Sequence, residues 1–556
     1  MTAIAFGDQS AKGTSIMNLS GICAQTVVDA LDRAAAIGPD IEAVVAPDGR
    51  ITFAELQTEV ARLRSALSAM GVERGDHVGL CLGNSVRWLS LFYAIGSLGA
   101  VTVPVNTRLR NDEIAYVLGQ AKLKYLFLAD RLLNVDFIAM FRDICPAIGG
   151  KLPDAAFPNL KRIVIVGDEV PAGATSWNDF YEDGQGDAAP GCKADDILLI
   201  QYTSGTTSFP KGVMLTHSNM LTNSFFVSQR IGLRPADRYH SARPFFHVAG
   251  TTLSILAALH ATATLVTMTR FEAKEALTLL ETERCTHVSG NDTMILMLLN
   301  HPDLDRSKLS LRGGWAAATP SVMKRMIDEL GAREAVTTYG MSETSPNISI
   351  SCWWEPEAVR ADSRMRLQPG IEVKLRNPDT HEPIAPGEPG ELLVRGWNVM
   401  RGYFEKPEET AAALDADGWL ATGDVVDLDK NRRLKFVARA KDILRVGGEN
   451  VSPAEVEDML HRHPKIRHAQ IVGVPDERLV EVPAAFVVLK EGEDADPDDL
   501  LTWAKERLAG FKAPRYLRIV DGFETIGMTA SSKVKRKELT AYAIKVLGLD
   551  GRDAAK

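Results

Sequence analysis

Apolar and polar positions alternate along the first two hundred residues in a way that predicts helices and buried strands in turn. Residues 54–70 carry apolar side chains at helical spacing, and Thr52 just before them can cap a helix. Segments 77–82 and 101–105 are apolar runs typical of buried strands, and 88–98 between them has helical spacing. This strand–helix order predicts an α/β fold in which mostly parallel sheets are covered by helices.

The pattern changes in the last two hundred residues. Between 365 and 440, short strand-like segments alternate with turns rich in glycine, proline and aspartate, which predicts a β-rich subdomain. Strands at 469–474 and 484–489 and a helix at 498–508 predict a small α+β domain beyond it. We therefore predict a large N-terminal domain, a hinge and a small mobile C-terminal domain, with bounds at 1–438, 439–441 and 442–556.

The composition is that of an ordinary globular protein. The chain has 556 residues, of which 45% are hydrophobic and 24% charged, and its net charge of −9 disfavours a nucleic-acid partner. Six scattered cysteines form no C-x-x-C pair, which indicates free thiols and a cytoplasmic protein. The N-terminus shows no secretory signal, and 253–266 is too short for a membrane span, so no integral membrane segment is expected.

Segment 203–212 reads Thr-Ser-Gly-Thr-Thr-Ser-Phe-Pro-Lys-Gly and narrows the function more than any other stretch. Hydroxyls, unencumbered backbone N–H groups and one cation suit a polyphosphate, although such a run standing alone is often a solvated turn. The P-loop signature requires glycine directly before the lysine, and Pro210 stands there instead. The phosphate-binding candidates are Thr203, Ser204, Gly205, Thr206, Thr207 and Lys211.

Two further segments combine groups that a nucleotide needs. In 339–344, Tyr339 offers a planar phenol, Ser342 a hydroxyl and Glu343 a carboxylate suited to Mg²⁺. Asp424 follows a glycine, and its ionised carboxylate can accept from two neighbouring hydroxyls. Each residue alone would also fit a turn or a solvated surface.

Taken in order, these segments resemble the adenylate-forming superfamily of acyl-CoA synthetases, luciferases and peptide-synthetase adenylation domains. The resemblance covers roughly residues 30–545. It implies that a small-molecule carboxylic acid reacts with ATP and Mg²⁺ to give acyl-AMP, and that coenzyme A then takes the acyl group. Several positions depart from the family pattern: Ser208 and Ser532 replace glycine, Ser342 replaces threonine, Ala438 precedes the arginine in place of glycine, and Gly527 and Met528 stand where the family often has proline and lysine.

The resemblance also implies roles for individual residues. Thr203 would assist Glu343 at the metal, Lys211 would face the β/γ-phosphates, Lys533 would serve adenylation, and Lys441 would be the hinge. Lys533 lies in a basic stretch that could instead be a solvated tail. The remaining implied contacts are to ribose by Asp424 and Arg439, to the rest of the nucleotide by Ala316, Ala317, Ala318, Tyr339, Gly340 and Ser342, and to the pantetheine arm by Gly447 and Gly448.

The acyl pocket is implied near His247, Trp315, Pro346 and Asn347. His247, flanked by aromatics, could orient the carboxylate or be an ordinary core histidine. Trp315 stands where the family has a small residue, which favours a short or medium-length acid, with branched and substituted acids included; a plain core role for this indole is the alternative.

Several functional alternatives stay open. A luciferase-like or carrier-loading enzyme shares the first step, and a catalytically silent ligand-binding homologue would keep the fold alone. A homodimer is a further expectation. The three histidines at 461, 463 and 468 match no metal-ligand spacing and are expected on the surface of the small domain.

Overall fold

The computed structural model describes residues 23–203, 210–378, 380–385, 387–446, 449–476, 478–529 and 534–549. Over these ranges the α-helices are α1 Val27–Ile37, α2 Phe53–Ala69, α3 Val86–Ser97, α4 Asn111–Gln120, α5 Phe137–Ile144, α6 Trp177–Glu182, α7 His217–Ile231, α8 Val248–Gly250, α9 Ala257–Ala261, α10 Ala273–Thr282, α11 Asp292–Leu299, α12 Pro320–Asp328, α13 Glu357–Ala361, α14 Pro407–Ala413, α15 Pro453–His461, α16 Pro497–Lys505 and α17 Arg536–Val546.

Local signals in the sequence explain where the early helices begin. Thr52 accepts a hydrogen bond from the backbone of Glu55 at the start of α2, and the Glu55 carboxylate accepts one from the Thr52 backbone. Ser85 caps α3 in the same way through the Trp88 N–H. The predicted helix at 54–70 is therefore confirmed within one residue.

Within the described residues, an eight-stranded sheet is mainly parallel and buried. The strand His77–Cys81, which carries Val78, pairs in parallel with both of its neighbours. The two strands at one edge of the sheet pair antiparallel. Its order is β22 Gly402–Tyr403, β11 Lys211–Thr216, β10 Ile197–Thr203, β4 Val101–Pro104, β3 His77–Cys81, β5 Tyr125–Ala129, β8 Arg162–Val166 and β9 Thr175–Ser176.

A second sheet has fourteen strands in the described part of the chain. Its order is β2 Gly49–Thr52, β1 Glu42–Ala46, β13 Thr264–Val266, β12 Arg238–His240, β14 His287–Asn291, β15 Gly313–Ala317, β16 Val336–Gly340, β17 Asn347–Ile350, β18 Met365–Leu367, β24 Arg433–Arg439, β23 Leu420–Leu428, β21 Gly390–Arg395, β19 Glu372–Arg376 and β20 Pro383–Ile384. Strands β12 to β16 pair in parallel, which confirms the α/β prediction. The predicted β-rich region is also present, but its strands continue this sheet through the antiparallel pairing of β16 with β17.

The C-terminal strands form a third sheet around a separate hydrophobic cluster that starts at Leu444. Its order is β26 Glu449–Val451, β25 Leu444–Val446, β28 Val480–Leu489 and β27 Ile466–Asp476, with β29 Tyr516–Ile519 parallel to β28. A hairpin of β6 Arg131–Leu132 and β7 Val135–Asp136 stands apart from the three sheets. The small α+β unit agrees with the sequence pattern, and the domain bounds at 438 and 442 stay a prediction.

Candidate active site

Parallel pairing brings candidate residues to one edge of the large sheet. β15 ends at Ala317 and β16 ends at Gly340, and because neighbouring parallel strands end at the same edge, these residues meet there. Ala316 is buried, while Ala317 and Gly340 are exposed and Ala318 is partly buried. This edge is where open α/β sheets usually bind ligands.

Two of the phosphate-binding candidates lie on the eight-stranded sheet. Thr203 ends β10 and Lys211 begins β11, and the two residues pair across the antiparallel ladder. The strand that ends at Thr203 runs from Ile197, and its residues 198–201 are buried. Ser204, Gly205, Thr206 and Thr207 lie outside the described residues.

Asp424 forms a buried polar contact with residues of two other strands. Its Oδ2 accepts a hydrogen bond of 2.8 Å from the Tyr339 hydroxyl, and its Oδ1 lies 3.5 Å from the Arg439 Nε. Burial and the adjacent Asp424 carboxylate raise the pKa of Tyr339 well above its usual range, so this phenol is a neutral donor. The Tyr339 ring also stacks on Phe436 at a centroid distance of 5.6 Å. Three predicted nucleotide contacts are thus joined in one cluster.

Glu343 and Lys211 are connected through a residue that the sequence reasoning missed. The Tyr403 hydroxyl donates a 2.8 Å hydrogen bond to the Glu343 Oε1, while the Lys211 ammonium lies 4.9 Å from the centroid of the same ring. Burial, reinforced by the Glu343 carboxylate, raises the pKa of Tyr403 well above its usual range. The signal in the sequence was weak, because a single Gly-Tyr pair after a turn is common.

The turn after β16 is held by close backbone contacts. A Cβ at Gly340 would overlap the Pro346 carbonyl oxygen, so this position admits only glycine. Ser342, partly buried, begins the 3₁₀ turn Ser342–Thr344, which carries Glu343. Asn347 is buried, and its Oδ1 accepts a 2.7 Å hydrogen bond from Thr338.

Two candidates for the acyl pocket are anchored by hydrogen bonds. His247 caps the short helix α8, and its Nδ1 accepts from the Ala249 N–H at 3.1 Å, which assigns the proton of the neutral ring to Nε2. Trp315 is 2% exposed and donates from Nε1 to the Tyr239 hydroxyl at 2.6 Å. Arg243 stacks on the Trp315 ring with its guanidinium carbon 5.1 Å from the centroid.

The candidates near the C-terminus are only partly described. Lys441 is exposed on the 3₁₀ turn Ala440–Asp442, directly after β24. Gly447, Gly448 and Lys533 lie outside the described residues.

The expected surface position of the small-domain histidines was wrong for two of the three. His461 and His468 are buried and stack with their ring centroids 5.8 Å apart. Burial lowers the pKa of His461 to about 4 and that of His468 to about 3, so both are neutral at physiological pH. The physical reason is that α15 and β27 pack their inner faces on each other, whereas His463 beyond the helix end is partly exposed.

A direct contact joins the small domain to the large one. The Asp458 Oδ1 on α15 accepts a 2.9 Å hydrogen bond from the backbone N–H of Ser321 in the first turn of α12. Near this contact Thr319 donates to the Asp292 carboxylate at 2.8 Å. Burial, followed by the charges of Glu457 and Asp458, raises the pKa of Asp292 to about 7.

None of the helices in the described ranges is long and apolar enough to cross a membrane.

The whole chain resembles known enzymes. Residues 31–404 match the family model described as AMP-binding enzyme, and 455–533 match the AMP-binding enzyme C-terminal domain. A Mycobacterium tuberculosis protein named 3-[(3aS,4S,7aS)-7a-methyl-1,5-dioxo-octahydro-1H-inden-4-yl]propanoyl:CoA ligase is 37% identical over 93% of this chain and 98% of its own. The mitochondrial medium-chain acyl-CoA ligase ACSF2 of Danio rerio is 32% identical over 92% of this chain and 87% of its own.

A solved structure supports the same grouping. The anthranilate CoA ligase AuaEII, crystallised with anthranoyl-AMP, superposes with a TM-score of 0.84 and 25% identity, covering 96% of this chain and 100% of its own. Both domains of the present chain fall within that superposition.

Proposed function

The chain belongs to the AMP-binding enzyme family, and we propose that it holds its nucleotide at the shared edge of β15 and β16. It is an ATP-dependent carboxylic acid–CoA ligase that forms acyl-AMP and then acyl-CoA. The observation that carries the proposed site is the buried Asp424 carboxylate, which Tyr339 and Arg439 hold beside this edge. A carboxylate there can accept from both ribose hydroxyls.

The first step needs little covalent chemistry from the protein. One oxygen of the acid attacks the α-phosphorus of ATP, the bond to the β-phosphate oxygen breaks, and pyrophosphate leaves with that electron pair. Negative charge develops around the α-phosphate, so preorganised cations lower the barrier. We assign this role to Lys533 and place Lys211 on the β/γ side, beside Ser204, Gly205, Thr206 and Thr207. Tyr339, Gly340, Ser342, Ala316, Ala317 and Ala318 would surround the adenine and the α-phosphate.

Magnesium fits Glu343 and Thr203 if phosphate oxygens and water supply its other ligands. Glu343 offers a carboxylate whose Oε1 is already oriented by Tyr403, and Thr203 offers a hydroxyl. The described residues contain no group of three acidic, histidine or cysteine side chains that could hold a metal alone. The remaining ligands would therefore be phosphate oxygens and water, as Mg²⁺ prefers. When bound, the ion would neutralise charge on the leaving pyrophosphate.

The second step transfers the acyl group to coenzyme A. The thiol sulfur attacks the carbonyl carbon of acyl-AMP, the mixed anhydride bond breaks, and AMP leaves as the thiol proton is lost. We propose that the small domain turns about Lys441 between the two steps, so that Gly447 and Gly448 replace Lys533 at the site. The exposed position of Lys441 on a short turn between the two domains supports this role.

The acid is proposed to bind near His247, Trp315, Pro346 and Asn347. The buried indole of Trp315 fills volume that a smaller residue would leave open, which favours a short or medium-length acid. His247 would donate from Nε2 toward the acid, because its Nδ1 already accepts from Ala249. The six cysteines, all within the described ranges, form no disulfide, which supports a cytoplasmic location. A homodimer stays a prediction.

The experiment separates the two half-reactions. Pyrophosphate exchange is measured across acids from acetate to long-chain, branched and aryl acids, followed by CoA-dependent thioester formation. Lys533→Ala should lower adenylation about 10²- to 10³-fold while leaving thioester formation from supplied acyl-AMP largely intact. Lys535→Ala is the matched control, since Lys535 pairs with Glu538 on the protein surface.

Three outcomes would count against the proposal. Equal loss of both half-reactions in Lys533→Ala would remove the assigned role of that lysine. Acyl-AMP formation without a CoA-dependent second step would favour the luciferase-like or carrier-loading alternative. Absence of pyrophosphate exchange with every acid would favour a silent ligand-binding protein.

A further inference from the structure

Arg243 is a buried cation whose counter-charge is missing from the described chain. Its side chain is 4% exposed, and its Nε has no hydrogen-bond partner. Among the described residues no carboxylate forms an ion pair with it. Burial lowers the pKa of Arg243 to about 10, and only the phenol of Tyr239 acts in the other direction.

Another buried arginine of this chain shows what a purely structural one looks like. The Arg230 guanidinium donates to three backbone carbonyls, those of Ile350, Arg366 and Leu367, at 2.8–2.9 Å. Among the described residues, the guanidinium of Arg243 contacts only the face of Trp315, with its central carbon 5.1 Å from the ring centroid. A cation–π contact offsets only part of the cost of burying an unpaired charge. Arg243 therefore lacks the carbonyl contacts that make Arg230 a structural brace.

The backbone around Arg243 is fixed, so its position is preorganised. The Asn84 amide donates to the Arg243 carbonyl oxygen at 2.9 Å, and the Asn84 Oδ1 accepts from the Phe245 N–H at 2.8 Å. His247 follows two residues after Phe245. The same short segment thus carries both the buried cation and the histidine proposed to face the acid.

Buried hydroxyl groups lie close to Arg243, whose backbone N–H donates to the Ser241 hydroxyl. Ser241 shares hydrogen bonds of 2.7 and 2.8 Å with Ser254 and Ser289, and all three serines are buried. Tyr239, two residues before Ser241, accepts a hydrogen bond from Trp315. Since Trp315 contacts both Tyr239 and Arg243, these groups face one side of the sheet, next to the proposed acyl pocket.

We propose that Arg243 binds a second carboxylate of the substrate, so that the acid activated by this enzyme is a dicarboxylate. One carboxylate reacts with ATP, and the other pairs with the guanidinium at the inner end of the pocket. The planar fork of arginine matches a carboxylate in a bidentate arrangement. This inference rests on the proposed function and on the proposed location of the acid.

The test compares acids that differ only in the distal charge. Dicarboxylates from butanedioate to octanedioate are paired with their monomethyl esters, and kcat/KM for pyrophosphate exchange is measured for each pair. The wild-type enzyme should prefer at least one dicarboxylate over its ester by 10²-fold or more. Arg243→Met should abolish that preference and leave the rate with the ester within a few-fold. Arg234→Met is the control, since Arg234 is exposed and lies 5.7 Å from the centroid of the Trp353 ring.

The outcomes distinguish this inference from the proposed function. Exchange with esters or monoacids but no preference for any dicarboxylate overturns the inference alone. Equal loss with both members of a pair in Arg243→Met also overturns it, because the arginine would then act on the reacting carboxylate or on folding. Arg243→Lys, which keeps the charge, should retain part of the preference, and it decides the question if Arg243→Met does not fold. No exchange with any acid removes the proposed function and this inference together.

Discussion

The hydroxyl of Tyr339 donates a hydrogen bond to the carboxylate of Asp424 across 85 residues of sequence. The contact joins the end of β16 to the middle of β23, strands that are not neighbours in the sheet. Both groups are at least nine-tenths buried, and Arg439 lies beside the second carboxylate oxygen. The carboxylate is thus oriented by two protein groups.

The first prediction concerns this carboxylate. Asp424→Asn should raise the KM for ATP about 10- to 100-fold, because hydrogen bonds to a charged acceptor are worth about 1.5–3 kcal/mol. Tyr339→Phe should cost less than about tenfold, since Arg439 still holds the carboxylate. Asp427→Asn is the control on the same strand, where the aspartate pairs with Arg364. An unchanged KM in Asp424→Asn would refute the assigned ribose contact.

The second prediction concerns Tyr403, which touches both Glu343 and Lys211. Tyr403→Phe removes the hydrogen bond that orients the Glu343 carboxylate but keeps the aromatic face. The Mg²⁺ concentration for half-maximal activity should therefore rise about tenfold, with little change in the KM for ATP at saturating Mg²⁺.

Tyr403→Leu tests the other contact of the same residue. It also removes the ring beside the Lys211 ammonium, so the KM for ATP should rise as well, by about two- to fivefold. If the phenylalanine and leucine variants behave identically, the contact of Lys211 with the ring has no role in ATP binding.

The third prediction concerns the turn that carries Glu343. A methyl group at Gly340 would overlap the Pro346 carbonyl oxygen, so Gly340→Ala must displace the chain on one side of the site. Activity should fall by at least about 10²-fold, as expected when reacting groups move by about 1 Å. Gly510→Ala is the control, because a methyl group there meets no atom within 4 Å. Wild-type kinetics in Gly340→Ala would show that the turn adapts without cost.

The residues of the candidate site could be proposed from the sequence because they occur in short local segments. Thr203, Lys211, Tyr339, Glu343 and Asp424 each stood out by residue type within a few positions of a glycine or a strand end. The pairing of Tyr339 with Asp424 could not be predicted from the sequence, since it depends on how distant strands are ordered in the sheet.

Other features were missed for the same physical reason. Tyr403 becomes part of the site only because β22 pairs with β11, which no local pattern indicates. The burial of His461 and His468 depends on the packing of α15 on β27, and histidine is common both inside and outside proteins. The lack of a carboxylate partner for Arg243 within the described residues depends on how distant segments pack, which no local pattern indicates.

The fourth prediction uses the pH dependence of Asp292. Burial raises its pKa to about 7, so the folded protein keeps a proton there that the unfolded chain releases near pH 4. The stability contributed by this proton is present at acidic pH and is lost as the pH rises toward 7. Asp292→Asn, which needs no proton, should be more stable than the wild type at pH 8 and should lose most of that advantage at pH 5.

The expected difference at pH 8 is on the order of 2–4 kcal/mol, since one pKa unit corresponds to about 1.4 kcal/mol. Denaturant midpoints at pH 5 and pH 8 give the difference in free energy of unfolding between variant and wild type. The titration of the buried histidines is common to both proteins and cancels in this difference. Asp458→Asn should shrink that difference, because the Asp458 charge helps to raise the pKa of Asp292. A variant-to-wild-type difference that is the same at both pH values would mean that Asp292 is already ionised in the folded protein at pH 5. Proton binding at Asp292 would then not be coupled to the hydrogen bond between Asp458 and Ser321 that joins the two domains.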